Sequence, residues 1–394
     1  MSGQDLFSEL VGITEACRQL DPTDTTYDLD GLHPAMVCEP GRPEEVAAIL
    51  GVADRSRAAV IPIGGGTRMC VGFTPRQADI VLVTTGLNDV VEYEPADLTV
   101  TVQAGMRLAT LQDLLREHGQ MLALDPPSQE HATVGGVIAS NSSGPMRLLY
   151  GTARDLVIGI RVANAEGMLT KAGGRVVKNV TGYDLDKLYT GSFGTLGIIV
   201  ELSFKLHPLP QSEGTMLAIF DSPGRAQAVV QQIVKSPLGA AALTIIGAEA
   251  ADKVVSRRLP DGGAALIARA AGFERAVARQ TRDMAALCLE ALSADVLADA
   301  EGEQLWASVR EFADLSLDTD DAILKVGVPP ASLASAMDAM QSLGVTLDLP
   351  VASIAHAGTG VIYSRVRNAA SMAEGAMDRL TRLIAEGRSA AMAL

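Results

Sequence analysis

Two stretches of this 394-residue chain concentrate groups suited to binding rather than packing. The first, Asp125 to Asp155, reads DPPSQEHATVGGVIASNSSGPMRLLYGTARD. Gly135 and Gly136 have no Cβ, which lets a large ligand approach the backbone. Thr133, Ser140, Asn141, Ser142 and Ser143 offer hydroxyls, an amide and turn-forming N–H groups. Such a surface suits a phosphate or a planar heterocycle, although an exposed loop of small residues shares the composition. The second stretch, Val60 to Gly72, reads VIPIGGGTRMCVG. A strand-like run, Ala58 to Ile63, feeds three glycines and Thr67, and consecutive N–H groups in such a turn form an anion-binding nest. A Gly-Lys-Ser/Thr phosphate loop is absent. So is the G-x-G-x-x-G fingerprint, because the chain leaves Thr67 through Arg68, Met69 and Gly72 toward another strand rather than into a helix.

The composition narrows the field. A net charge of −15 argues against nucleic acid as a partner, since phosphate binding needs a basic face. It also supplies no polybasic patch for an anionic membrane. No run reaches the ~18 apolar residues of a membrane span. Cys17, Cys38, Cys70 and Cys288 are scattered with no C-x-x-C pair, so neither a cluster nor a structural zinc site is expected. The N-terminus lacks the basic and apolar regions of a signal peptide. Free thiols in a reducing, cytoplasmic setting are the expectation.

A third stretch, Gly173 to Glu201, completes a set of marks in order: Pro62-Ile63-Gly64-Gly65-Gly66-Thr67, Thr133-Val134-Gly135-Gly136, Tyr150-Gly151-Thr152-Ala153-Arg154-Asp155, Lys178-Asn179-Val180-Thr181-Gly182-Tyr183-Asp184-Leu185 and Gly194-Thr195-Leu196-Gly197-Ile198-Ile199. Across about half the chain these resemble the FAD-binding domain of the vanillyl-alcohol oxidase/PCMH-type flavoprotein superfamily. Within it they look most like a bacterial glycolate oxidase FAD-binding subunit, the one that works beside a second flavoprotein keeping a metal motif. The resemblance implies FAD with its pyrophosphate on the turn Ile63, Gly64, Gly65, Gly66, Thr67. It implies further cofactor contacts from Pro127, Ser128, Thr133, Gly135, Gly136, Ser140, Asn141, Ser142, Gly144, Tyr150, Gly151, Ile198 and Ile199. Some superfamily members tether flavin through a His in the first loop. Here that loop carries Arg68, Met69 and Cys70, so non-covalent FAD is expected.

The resemblance also implies hydride transfer from a small 2-hydroxy acid, glycolate or D-lactate, to flavin N5. Partners would be the second FAD-binding subunit and an iron–sulfur subunit, with at most peripheral membrane association through them at the inner face of the cytoplasmic membrane. A stand-alone 2-hydroxyacid dehydrogenase and a non-catalytic scaffold subunit with the FAD fold are the alternatives. Such chemistry needs a base for the hydroxyl proton and a cation for the carboxylate. His356, in His356-Ala357-Gly358-Thr359-Gly360, keeps the glycines of the family's metal-binding His-x-Gly-Asp-Gly-Asn motif without its Asp and Asn. No metal site is therefore expected, since zinc needs three or four ligands. Arg365 and Arg367 follow as candidate cations, and solvated strand-end arginines read the same way. Of the other histidines, His131 lies in the cofactor stretch, while His33, His118 and His207 sit at element ends.

Elements must position these groups. Length and apolar content (48%) fit two domains with real cores. Residues 1–30 read as a lead-in, 31–210 as a two-lobed PCMH-type FAD-binding domain and 211–394 as a ferredoxin-like α+β cap, divided at His207-Pro208-Leu209-Pro210. Arg42-Pro43-Glu44-Glu45 opens a helix, with Pro43 in the first turn and two glutamates at the positive end of its dipole. Strands follow at Asp79–Val83, Val90–Tyr93 and Leu98–Gln103, then a helix at Leu108–Glu117. Leu156–Ala163 and Met168–Lys171 form a hairpin, and Gly197–Leu206 alternates as a strand. In the cap, strands and helices alternate, with helices expected over 273–292 and 370–386 and a strand over 347–355.

Overall fold

A computed structural model describes residues 3–174, 183–255, 257–314, 321–367 and 375–394. The Lys178 to Gly182 part of the fourth mark lies outside them, as do residues 370–374 of the expected last helix. Two compact units form: 1–143 with 151–209, and 144–150 with 210–394.

The first unit opens with α1 (Gly3–Ile13), β1 (Cys17–Gln19), β2 (Met36–Cys38), α2 (Pro43–Ser56), β3 (Val60–Ile63) and β4 (Ile80–Val83). α1 packs on α2, with Leu6 and Leu10 buried in its core. The Glu45 carboxylate caps the start of α2, accepting from the Gly41 and Arg42 N–H groups at 2.9 and 3.3 Å and from the Arg42 guanidinium. Its face of Val46, Ile49, Leu50 and Ala53 packs with Ile80 and Leu82. Val81 and Val83 point the other way, to Val37 and Ile63. β4 is thus apolar on both faces, as a strand between parallel neighbours must be, and β2 and β3 both pair with it in parallel. The sheet order is β1-β2-β4-β3.

The expectation of four free thiols is corrected here. β1 runs antiparallel to β2 with Cys17 opposite Cys38, their Cα atoms 4.1 Å apart, and the two form a disulfide. Cross-strand opposition brings the two Cβ atoms together, which linear spacing does not reveal. Cys70 and Cys288 are not disulfide-bonded.

The second lobe contributes β5 (Val90–Glu94), β6 (Thr99–Gln103), α3 (Leu108–Arg116), β7 (Gln120–Met121) and α4 (Val134–Ala139). α5 (Arg147–Tyr150) falls within the second unit. The chain then returns through α6 (Ala153–Leu156), β8 (Val157–Ala163), β9 (Leu169–Gly173), α7 (Leu185–Tyr189), β10 (Ile198–Lys205) and β11 (His207–Pro208). Five antiparallel strands order as β5-β6-β10-β8-β9. Arg161 on β8 ties this sheet to α2, bonding Glu201 at 2.7 Å and Glu44 at 2.9 Å.

The second unit runs β12 (Ser212–Phe220), α8 (Pro223–Lys235), β13 (Ala240–Gly247), α9 (Ala248–Val254), β14 (Ala264–Gly272), α10 (Glu274–Ala286) and β15 (Ser293–Val296). It continues through α11 (Asp299–Glu311), β16 (Ala322–Gly327), α12 (Leu333–Thr346), β17 (Val351–His356), β18 (Val361–Val366) and α13 (Ala376–Ala393). One antiparallel sheet orders as β15-β12-β14-β13-β17-β18-β16. Its first four strands are arranged 4-1-3-2 in their own order, the ferredoxin-like pattern, and three more strands extend it. One face packs α8, α10 and α12 through Leu243, Ile245 and Leu266. The other packs α9 and α11 through Ala242, Ile246 and Ile354.

Three readings change. The helix expected to Leu292 stops at Ala286, and Ser293–Val296 pairs on β12. That strand, SADV, is mostly exposed and carries no apolar alternation to mark it. The strand expected from Leu347 starts at Val351, because α12 runs to Thr346 and Asp348 (φ 53) makes a turn. The short helix α9 follows β13 without a break and has no separate signal.

Candidate functional site: a glycine-walled cleft and a buried histidine

β3 ends in the turn Gly64–Thr67, and Gly66 takes φ 74, a left-handed conformation that favours glycine. The turn lies directly on the 131–133 segment: a Cβ built on Gly65 would stand 1.8 Å from the His131 carbonyl oxygen, and one on Gly64 2.3 Å from Thr133 Oγ1. Among the described residues, no backbone N–H from Gly64 to Thr67 has a protein acceptor. Four donors are therefore available to something outside the protein.

These residues wall a cleft of about 560 Å³, within the usual range for ligand sites. Ile63 to Thr67, Thr133, Gly135, Gly136, Ser140, Ile198 and Ile199 all line it. Pro127 and Ser128 are buried and stand outside the lining, and Asn141, Ser142 and Gly151 are also outside it. Gly144 and Tyr150 belong to the second unit.

Residues of this stretch also serve the fold itself. Gly135 lines the cleft, and a Cβ on it would meet Ala104 at 2.7 Å, so its bareness is needed for the protein's own packing as well. The Thr133 and Ser140 hydroxyls are engaged internally. Thr133 Oγ1 accepts from the Gly136 N–H at 3.2 Å, and Ser140 Oγ donates to the Gly136 carbonyl at 2.7 Å.

Arg68 and the 191–195 turn join the site without having been expected there. The Gly191 and Phe193 N–H groups donate to the Ile138 and Ala139 carbonyls, which fastens that turn to the end of α4 and sets Ser192, Phe193 and Thr195 into the lining. The signal for the turn is the Gly191-Ser192-Phe193-Gly194 sequence, with glycines at both ends. Asp30 and Arg68 are the charged residues of the lining, and Arg68 also donates to Ser142 Oγ at 3.4 Å. The Asn141 Oδ1 and Ser192 Oγ atoms are buried with no hydrogen-bond partner among the described residues. A buried polar atom without a partner is costly. A large heterocyclic dinucleotide fits this set: unspent donors on the glycine turn, orphaned oxygens near the α4 end, and apolar walls of Pro62, Ile63, Phe193, Ile198 and Ile199.

In the second unit His356 ends β17, opposite Thr244 on β13, whose Oγ1 lies 3.3 Å from its Nδ1. Its ring meets Tyr363 edge-on at 5.5 Å. Burial, and then the positive charges of Arg147 and Lys325, push its pKa down to about 3. Arg365 and Arg367 are not brought to it. Arg365 pairs with Ala352 at the other end of β17. It forms a buried ion pair with Asp321 at 3.2 Å, donates to the Asp314 carbonyl and stacks over Phe312. Arg367 donates to the Glu249 carbonyl at 2.6 Å. Among the described residues no group of three His, Cys, Asp or Glu side chains is placed to hold a metal.

The two units define the class: a two-domain PCMH-type FAD-binding fold, with the cleft in the first unit. Residues 34–173 match the FAD binding domain family, and residues 209–393 match the family of FAD linked oxidases, C-terminal domain. The glycolate oxidase subunit GlcD of Bacillus subtilis (strain 168) is 31% identical over 343 residues, 84% of this chain and 72% of that protein. A D-2-hydroxyglutarate dehydrogenase of Xanthomonas citri pv. viticola is 31% identical over 385 residues, covering 90% and 78%. A solved alkyldihydroxyacetonephosphate synthase aligns with TM-score 0.76 over 97% of this chain and 80% of its own at 18% identity, a likeness of fold. The chain belongs to the FAD-linked oxidase family that includes glycolate oxidase subunit GlcD, and FAD is its cofactor.

Proposed function

We propose that this chain is an FAD-dependent dehydrogenase of small 2-hydroxy acids, with glycolate and D-lactate as the first candidates. The cleft with its four unspent backbone donors carries the reading, and the names of the relatives supply the substrate class. FAD, when bound, supplies a hydride acceptor at N5 and a route for electrons onward. In this reading Gly64 to Thr67 hold the pyrophosphate through main-chain N–H groups. Thr133, Gly135, Gly136 and Ser140 wall the ribityl and flavin edge, Ile198 and Ile199 pack the ring system, and Asn141 and Ser192 offer their orphaned oxygens. The cofactor is non-covalent, since the loop after Gly66 has no histidine. Electrons then pass to an iron–sulfur partner subunit, in the cytoplasm or at the inner face of its membrane. Among the described residues no helix is long and apolar enough to cross a membrane.

One observation favours a second arrangement, in which this chain binds FAD and a second flavoprotein subunit does most of the substrate chemistry. A histidine held near pKa 3 is a weak base for a hydroxyl proton. Neutral His356 is better suited to orient an oxygen than to take its proton. Anaerobic addition of glycolate and D-lactate to the purified holoprotein separates the two. Bleaching of the flavin supports the first reading, and flavin that stays oxidised moves catalysis to the partner.

A further inference from the structure

The chain between β1 and β2 is tied at its base and reaches the cofactor cleft at its tip. β1 and β2 pair over three residues, and the Cys17–Cys38 bond closes the intervening segment into one loop. At the tip, Leu29 and Leu32 exchange backbone hydrogen bonds at 3.0 and 2.9 Å. Asp30 and Gly31 between them take φ 48 and 86. Positive φ at both central residues is what an Asp-Gly pair supplies to a tight hairpin turn. Leu29 and Asp30 line the cleft together with the glycine turn Gly64 to Thr67.

Side chains of this loop grip both ends of the glycine turn. Leu20 is buried with Val37, Ile63, Val81 and Val83, and Tyr27 packs on the same cluster beside Met69. Ile63 leads into the turn and Met69 follows it. Thr74 Oγ1 donates to Asp30 Oδ2 at 3.1 Å, which latches the tip to the loop whose Gly72, Phe73 and Pro75 also line the cleft. The base is weaker. β1 and β2 are three residues each, so their ladder is a poor anchor by itself. The disulfide, packed in the core beneath α1 and α2, is what fixes the base. In the cytoplasmic setting proposed above, such a bond is one that is made and broken.

We propose that residues 17–38 form a strap against the cofactor cleft and that the Cys17–Cys38 bond sets how firmly the chain retains FAD. The proposal rests on the reading of this cleft as the FAD site. With the bond closed, Leu29 and Asp30 are held on the cleft. The reductant is a dithiol, small or protein-borne. One of its thiolates attacks the Cys17 sulfur, since Cys38 is fully buried and Cys17 is 6% exposed. The Cys17–Cys38 bond breaks, and Cys38 leaves as a thiolate that takes a proton. The second thiol of the reductant then displaces Cys17 from the mixed disulfide. Two electrons and two protons thus pass to the cysteine pair, and the dithiol departs as its own disulfide. With only the short ladder left at the base, the tip leaves the cleft more often and FAD escapes faster.

The test is the rate of FAD release from the full-length holoprotein, read as flavin absorbance in the filtrate at timed intervals after dilution. It is measured before and after anaerobic treatment with dithiothreitol and its removal. A thiol count fixes the state, with two free cysteines before treatment and four after. Release should be about tenfold faster from the four-thiol form. Cys17→Ser/Cys38→Ser should release FAD at that faster rate with or without dithiothreitol. Asp30→Ala, with the bond intact, should speed release by about threefold through loss of the latch. Equal release from the two- and four-thiol forms of wild type would overturn the proposal, whether or not the double variant folds. So would four thiols in the air-oxidised protein, or release from Asp30→Ala at the wild-type rate. Gly65→Ala separates the strap from the site. If it loses FAD while wild-type release ignores the thiol count, the strap fails and the site stands. If it keeps FAD while wild-type release follows the thiol count, the glycine-turn assignment fails and the strap stands.

Discussion

His356 is a histidine whose surroundings oppose its charge. Its folded pKa, about 3, lies below the ordinary 6.5, so between those values the unfolded chain binds a proton that the folded chain refuses. Stability must therefore fall as pH drops from about 6.5 toward 3, and this one group accounts for roughly 5 kcal/mol of loss at full effect. Urea unfolding at pH 7, 5.5 and 4.5 should show a shallower decline for His356→Gln than for wild type. Parallel declines would mean that the histidine titrates normally. Arg365 is a different kind of residue. It and Asp321 are 6% and 7% exposed, so removing one partner strands the other's charge in the core. Arg365→Met should cost about 3–5 kcal/mol, and Arg367→Met about 1 kcal/mol or less. Comparable losses in the same unfolding experiment would contradict the structural role given to Arg365. Sequence could name these three residues but not sort them. Whether an arginine is committed to an ion pair depends on where Asp321 is carried by a fold that the sequence pattern shows only coarsely.

At the scale of elements, the turn after β3 was legible because its strand, glycines and threonine are contiguous. The packing of that turn was not legible, since Gly65 is bare to admit the His131 carbonyl from a distant part of the chain. This gives the glycines unequal roles. Gly65→Ala places a methyl where that carbonyl stands and should displace the turn, while Gly136→Ala meets only Thr133 Oγ1 at 3.1 Å. The ratio of flavin to protein absorbance after gel filtration should fall several-fold in Gly65→Ala and stay near wild type in Gly136→Ala. Equal retention in the two would show that the turn does not hold the cofactor. Long periodic elements such as α2, β10 and the β8–β9 hairpin could be read from pattern and turn chemistry alone. β15 escaped because a short polar edge strand has no alternation, and the Cys17–Cys38 bond because cross-strand register is not a sequence property.

The whole molecule divides its tasks between two units whose signals differed in strength. The first carries its binding residues in runs with fixed order, and three of them, 62–67, 133–136 and 194–199, contribute to the wall of one cleft. The second sets His356, Arg365 and Arg367 against Thr244, Asp321 and Glu249, which lie far apart along the chain, so sequence order alone does not sort their roles. Segment 144–150 lies in the middle of the cofactor stretch yet belongs to the second unit, which contiguous reading could not reveal. In the proposed reaction a carboxylate-bearing 2-hydroxy acid delivers hydride to the flavin of this chain. The most direct measurement is the flavin absorbance of the purified holoprotein, recorded anaerobically as glycolate or D-lactate is added. The oxidised flavin bands should disappear with one of them and recover on admitting an electron acceptor. A flavin-loaded protein whose bands persist through saturating additions of both acids would contradict it.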